Sequence, residues 1–320
     1  MPTTLPTAGD VHVNSALTNF AQKYLQDDPT FVMHRAFPNM PVAHKSNTYH
    51  IFDKGDFFRD EAKERAPGTE SAGGGFALSQ DTYTATTRAF HKDISDEERA
   101  NQDPSVNLEL SSTQYVMQKM LISRERAIAA TALATSGTWT TNVNGDWIAA
   151  ASDPIADVRT AKRTVQGLTG LRPNRMLIGR QAYDTLTDND ALLSRITGGA
   201  NNAMPAMVLR TLIANLLELD EIFVVDGIFN SAVRGATDSM SFIGGDTAVV
   251  YYAPQAANSS TASAGVQFSW TGALGNTANG IRIKRFRQEN LESDRIEGQM
   301  SFDFKITGAD LGYSFATVSA

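Results

Sequence analysis

Thr48-Tyr49-His50-Ile51-Phe52 and Thr82-Tyr83-Thr84-Ala85-Thr86-Thr87-Arg88-Ala89-Phe90 are the two runs that decide how this chain is organised. Both are rich in β-branched and aromatic residues, the composition of strands. Between them lies mixed charge, Arg59-Asp60-Glu61-Ala62-Lys63-Glu64-Arg65-Ala66-Pro67-Gly68, followed by Gly73-Gly74-Gly75. A compact domain seldom carries so long an irregular segment unless that segment is functional or disordered. Few apolar residues are available to bury its tip at home, so a partner surface would have to order it. The pattern predicts a long two-stranded arm over residues 48–90, with a solvated surface loop as the plain alternative.

Upstream, residues 1–28 read as an N-terminal arm. Ala16, Leu17, Phe20, Tyr24 and Leu25 recur at helical steps, and Asp27-Asp28-Pro29 ends the run. Downstream, Ile94-Ser95-Asp96-Glu97-Glu98 leads to Asp103-Pro104, a cap and first-turn pair, and a helix is predicted over 104–135. Leu110, Met117, Leu121, Ile128 and Ala132 supply its apolar face. At about 30 residues and about 45 Å it would act as a strut. A hairpin is expected between Trp139 and Trp147, turning at Asn144-Gly145.

From Asp153 helices and strands alternate. A helix through Ile155, Val158, Val165 and Leu168 ends at Gly170. Strands are expected at Met176-Leu177-Ile178, at 221–225 and at 247–252, with helices at 190–196, capped by Asp190, and at 206–217. The runs 197–202 and 255–264 are small-residue loops. Residues 296–306 alternate, with Ile296, Met300, Phe302, Phe304 and Ile306 apolar and Glu297, Gln299, Ser301, Asp303 and Lys305 polar, which is a half-buried strand. A strand over 281–287 precedes it, joined by the polar turn 288–294.

Composition removes whole classes of chemistry. The 320 residues include no cysteine, so disulfides, thiolate nucleophiles and zinc ribbons are excluded. The five histidines all lie at or before His91, and no Walker loop, G-x-S-x-G or H-E-x-x-H motif occurs. Adjacent carboxylates such as Glu97-Glu98 point different ways and read as a solvated face. No catalytic residue, cofactor or metal is expected. The formal charge of -7 argues against a protein whose main task is gripping nucleic acid. The one basic strand, Arg282, Lys284, Arg285 and Arg287, is a candidate DNA-facing surface, although the acids of the following turn favour ion pairs. No apolar run is long enough for a membrane helix and no signal peptide opens the chain, so no membrane role is expected and the cytoplasm is the expected folding compartment.

Arm, long charged hairpin, the entry 90–98, strut helix, α/β region with Leu171-Arg172-Pro173-Asn174-Arg175 before a strand, and closing long strands follow in that order. This order resembles the major capsid protein of tailed bacteriophages, an α+β fold shared by encapsulins and the floor of herpesvirus shells. The resemblance implies an N-terminal arm (1–28), an extended loop (48–90), and a peripheral domain (29–47, 91–152 and 281–310) with its spine helix at 104–135. It also implies an axial α/β domain (153–280 and 311–320). Arg59, Asp60, Glu61, Lys63, Glu64 and Arg65 of the extended loop, and Glu289, Asn290, Glu292 and Asp294 of the turn, become candidate inter-subunit contacts. Some members crosslink a loop lysine to an asparagine, for which Lys54, Lys63 and Asn290 are available. The implied function is a self-assembling icosahedral shell around packaged double-stranded DNA, without enzymatic turnover. Its implied partners are copies of itself in pentamers and hexamers, a separate scaffolding protein, a portal, a decoration protein and DNA held non-specifically. The implied location is the virion, reached from the host cytoplasm. An encapsulin-type shell around enzyme cargo is the alternative, and an α/β metabolic enzyme the more distant one.

Overall fold

The computed structural model describes residues 25–101, 107–149, 152–196, 210–256, 261–274, 280–316 and 318. The expected arm helix around residues 16–25, the Asp103-Pro104 cap and the loop 197–202 therefore lie largely or wholly outside the described residues.

The first strands are β1 (Asn39–Val42), β2 (Ser46–Phe52), β3 (Leu78–Thr84) and β4 (Thr86–Ser95). After the long helix Leu108–Ala132 come β5 (Thr141–Asn144), β6 (Arg175–Gly179), β7 (Glu221–Val225), β8 (Ile228–Asn230) and β9 (Met240–Phe242). The remainder are β10 (Ala248–Tyr251), β11 (Gly265–Trp270), β12 (Ile281–Gln288), β13 (Ser293–Ile306) and β14 (Gly312–Ala316).

The alternating run seen in the sequence is β13, and it organises the first sheet. It pairs antiparallel with β12 from Met300↔Ile281 to Ser293↔Gln288, with β4 from Phe302↔Thr86 to Ser293↔Ser95, and with β11 from Ile306↔Gly265 to Phe302↔Ser269. β1 adds to β11 in parallel. Because side chains alternate across a strand, Ile296, Met300, Phe302 and Phe304 all turn into the core. The long helix lies on this face. Its approach is close at Gly298, where a Cβ would stand 2.8 Å from Val116 Cγ1 and 3.1 Å from Met120 Cγ. A glycine here lets the helix seat against the sheet.

That helix runs Leu108–Ala132, 25 residues; of the expected 104–135, residues 104–106 lie outside the described residues and the C-terminal end comes before 135. Asn107 is the cap, its Oδ1 accepting from Leu110 N at 2.9 Å. The buried face is Val116, Met120, Leu121, Ile128, Ala129 and Ala132; Leu110, expected inside, is 53% exposed. It lies in the first turn, before the helix reaches the core.

The second sheet has the order β5-β14-β10-β6-β7, with β6 and β7 parallel and β10 antiparallel to both of its neighbours. Helix Pro154–Thr169 packs on it through Ile155, Val158, Ala161 and Val165. Asp153 Oδ1 caps this helix by accepting from Ile155 N and Ala156 N, and Gly170 closes it at φ 71°, a left-handed conformation that suits glycine.

Several expectations are corrected. The second run of the arm, read as one strand over 82–90, is two: β3 pairs with β2, and β4 leaves to join β13. Ala85, fully buried with its N–H given to Lys45 O at 2.8 Å, is the break between them. The Asn144-Gly145 hairpin does not form. Its strand, β5, pairs in parallel with β14, and Gly145 N and Trp147 N donate to Ala316 O and Val318 O. Asn189, not Asp190, caps the helix Asp190–Ile196, its Oδ1 accepting from Ala191 N. Of the helix expected over 206–217, residues 206–209 lie outside the described residues and the remainder is helical over Arg210–Leu216. β11, inside 153–280, joins the first sheet, and β5, inside 91–152, joins the second. Pairing partners distant in the chain decide sheet membership, and chain order carries little of that information.

Candidate interaction surfaces

The arm is a two-stranded sheet, β2 with β3, in register from Ser46↔Thr84 to Phe52↔Leu78. Its base is held by aromatic packing on the first sheet. Tyr83 stacks on Phe268 at 4.5 Å between ring centroids, and Tyr49 lies 5.6 Å from the same ring. The Tyr49 hydroxyl donates to Asp81 Oδ2 at 2.8 Å, and this bond lowers the acid while burial raises the phenol.

Beyond the strands a short helix, Lys54–Phe57, is capped by Asp53, and Asp56 Oδ2 accepts from Ala77 N at 2.7 Å. Lys54 pairs with Asp310 of the body, which holds that acid below the usual carboxylate range. Phe52, Phe57 and Phe76 form an aromatic triangle with centroid separations of 5.6–5.9 Å, yet all three are at least half exposed. The proximity of these rings arises only when β2 and β3 pair, because Phe76 lies more than twenty positions from Phe52 in the chain. Arg59 pairs with Asp56 and Glu61; among the described residues no ion pair involves Asp60, Lys63, Glu64 or Arg65, and all four are exposed.

At the opposite end of the first sheet, β12 and β13 join through the turn Glu289–Leu291 and Glu292, the latter at φ 43°. Here the basic strand meets acids from three other elements. Arg287 binds Asp96 through both terminal nitrogens at 2.6 and 2.5 Å. Arg285 binds Glu109 and Asp294, each at 2.9 Å, and Arg99 binds Asp294 at 2.5 Å. Arg295 binds Asp93 through two nitrogens. These hydrogen bonds hold Asp93, Asp96 and Asp294 below the ordinary carboxylate range. Of the candidate DNA-facing set, Arg285 and Arg287 are thus engaged within the chain, and Arg282 lies beside Gln299 at 3.5 Å. Of the turn's candidates, Asp294 faces inward with its side chain 13% exposed, whereas Glu289 is 85% exposed.

A third surface was invisible in the sequence. A groove of about 790 Å³ runs along the outer side of the long helix, walled on one side by Arg88 of β4 and on the other by Phe229 and Phe242 of the β8–β9 hairpin. Lys119, Ser123 and Arg126 line it from the helix. Arg126 lies over the Phe229 ring at 4.0 Å, and Arg88 donates to the carbonyl and hydroxyl of Ser123. The signal in the sequence was present as Lys119 and Arg126 two turns apart, but nothing local says which wall they face.

Turned the other way on that helix, Glu125 is 1% exposed. Its carboxylate accepts from Val32 N at 3.0 Å and Met33 N at 3.1 Å, and so fixes the segment that leads from the N-terminal region into the body. Burial pushes it up to about 7 against the pull of those bonds and of Arg124 and Arg35. Among the described residues no group of three or more acids or histidines is placed to hold a metal ion, and no helix is long and apolar enough to cross a membrane.

Comparison with known proteins gives these surfaces a setting. The family model described as phage major capsid protein E matches residues 135–300. The major capsid protein of Burkholderia phage BcepMu is 27% identical over 161 residues, which is 49% of this chain and 50% of that protein; the match thus spans half the length of that relative. A crystal structure of a phage-related protein from Bordetella bronchiseptica RB50 superposes with a TM-score of 0.67 at 20% identity, over 92% of this chain and 94% of the other. The SrpI encapsulin of Synechococcus elongatus PCC 7942 superposes at 0.55 and 10% identity, over 96% and 95%. At such identities the two structures report the fold alone.

Proposed function

The chain belongs to the phage major capsid protein E family, and from that premise we propose that it is the coat subunit of an icosahedral shell enclosing the double-stranded DNA of a tailed phage. The observation that carries the reading is the match of the family model to residues 135–300, joined to a fold similar to a phage-related protein over 92% of the chain. The encapsulin fold is also similar, so the fold by itself does not separate a genome shell from an enzyme compartment; the family model and the curated relative favour the genome shell.

The mechanism is assembly without turnover. A closed lattice needs heterologous contacts, in which different patches of neighbouring copies meet. The arm supplies one such patch. It is tied to the body by Tyr83 at its base and by Lys54 beyond its strands, and its outer part offers the Phe52–Phe57–Phe76 triangle with exposed Asp60, Lys63, Glu64 and Arg65 around it. Apolar rings give area to bury, and the mixed charges give register. Glu289, Asn290 and Glu292 form a second patch on the β12–β13 turn, while Asp294 serves the subunit's own structure. Because each subunit touches several neighbours, individually weak contacts sum to a stable shell while remaining correctable during growth. An acidic chain of net charge -7 has no net attraction for packed DNA, which leaves the DNA free to move against the wall. The same reading places the mature protein in the virion, with scaffolding, portal and decoration proteins as assembly partners.

Deleting residues 59–75 tests it. The expected product is a folded, soluble subunit that forms no closed particles in negative-stain micrographs. Normal particles from the deletion would remove the arm from the mechanism, and copurifying enzyme cargo in wild-type particles would favour the encapsulin-type compartment.

A further inference from the structure

We propose that the groove along the long helix is a docking site for an amphipathic helix with an acidic polar face. Three cations define its rim: Arg88, Lys119 and Arg126, all exposed, and among the described residues none of them is in an ion pair. Among the described residues no carboxylate lines the groove. Lys119 and Arg126 lie two turns apart, about 10 Å, and Arg88 reaches Ser123 midway between them. That spacing exceeds the roughly 8 Å Debye length at physiological salt, so these exposed cations repel one another little and each can meet an acidic partner at contact distance.

The floor and the hairpin wall are a different chemistry. Ile122, Ala130, Phe229, Phe242 and Ile243 are apolar, and Phe242 is 41% exposed. A phosphate backbone satisfies the rim and leaves this floor uncovered. A helix with one apolar and one acidic face satisfies both, and the groove's run from Lys119 to Leu133 is about 21 Å, or about four turns of a partner. A second copy of the chain is a poor occupant. Among the described residues the helix richest in acids, Asp96–Ala100, is five residues long and has Asp96 already engaged by Arg287. Among the described residues no helix of this chain pairs a long apolar face with an acidic one, and the occupant proposed is another protein's helix. The inference goes beyond the shell reading and stands on the groove alone.

The test uses the purified full chain and a fluorescein-labelled synthetic peptide of about four turns with leucine and glutamate faces, read by fluorescence anisotropy. The acidic peptide is expected to bind, more tightly at low salt, while the same peptide with lysine for glutamate does not. The double variant Lys119→Glu/Arg126→Glu should weaken binding about tenfold or more, and Ala130→Trp, at an exposed position on the floor, should block it without changing the thermal midpoint. Absence of binding by the acidic peptide, or binding that neither variant weakens, overturns the proposal. So does short duplex DNA binding that the charge variant abolishes and Ala130→Trp leaves intact when the peptide does not bind; the groove is then a phosphate track. Negative-stain imaging of the same preparations scores shell formation separately. Particles without peptide binding reject the groove alone, and peptide binding without particles rejects the shell alone.

Discussion

Two groups of cations on one body end in opposite states. On β12 and β13, Arg285, Arg287 and Arg295 are each met by carboxylates, supplied by β4, by the short helix after it, by the start of the long helix and by Asp294 beside them. On the outer side of the long helix, Lys119 and Arg126 with neighbouring Arg88 find aromatic rings and a serine, and no acid. The first group closes the fold on itself; the second leaves charge for something else. A cluster of basic residues therefore becomes a binding surface only where the tertiary neighbours decline to neutralise it, and the denser cluster along the chain is here the less available one.

The largest expected effect comes from the residue that separates the two faces of the long helix, Glu125. Its carboxyl is pushed up to about 7 in the folded state against an ordinary value of 4.5. A raised carboxylate contributes stability that is present below about 4.5 and is lost as pH rises through about 7, a span worth about 3 kcal/mol. The paired acids Asp93, Asp96 and Asp294 act in the opposite sense. Their folded values are lowered, so their contribution is present above about 3.8 and is lost as pH falls below it. Denaturant unfolding across pH should then show a maximum between about 4 and 5. Glu125→Gln should flatten the neutral limb and spare the acid limb; a neutral limb that survives the substitution assigns the slope to another group.

Next in size is Asp294→Asn, which leaves Arg99 and Arg285 without their shared acceptor. The thermal midpoint should fall by more than for any groove substitution, with the loss shrinking in high salt as screening weakens the native network. Equal midpoints at all salt concentrations would break the contrast between the two cation groups. Smaller again is Glu289→Lys with Glu292→Lys. The isolated subunit should keep its midpoint while assembled particles lose thermal stability, and particles of unchanged stability count against the turn as a contact. The smallest effect on folding is expected from Lys119→Glu/Arg126→Glu, within about 0.5 kcal/mol, because both side chains are exposed and, among the described residues, in no ion pair. A larger loss would mean that these cations serve the fold after all.

How much of this was legible depends on how local each cause is. The alternation Ile296, Met300, Phe302 and Phe304 reads directly as β13, and the helix closing at Gly170 reads from its apolar spacing and its glycine. The arm was legible as two β-prone runs around a charged segment, but its end at Ala85 was not, because the break is set by burial and by a bond to Lys45 O across the fold. Asn144-Gly145 carried a local turn signal that lost to pairing with β14, an element some 170 positions away. Among the candidate sites, the charged residues of the arm and turn could be named from sequence, whereas the Phe52–Phe57–Phe76 triangle and the cationic groove arise from juxtaposition.

By itself, then, the chain's order of β-prone, helical and charged segments determined the α+β class, the long helix and the family resemblance, because those depend on periodicities of two and 3.6 residues that persist in any context. Tertiary structure alone decided which sheet each strand joined, which arginines were neutralised and which stayed available, and that Glu125 lies buried against the Val32 and Met33 amides. Those outcomes turn on hydrogen bonds and Coulombic contacts between residues as much as two hundred positions apart or more, at distances that only the folded chain establishes.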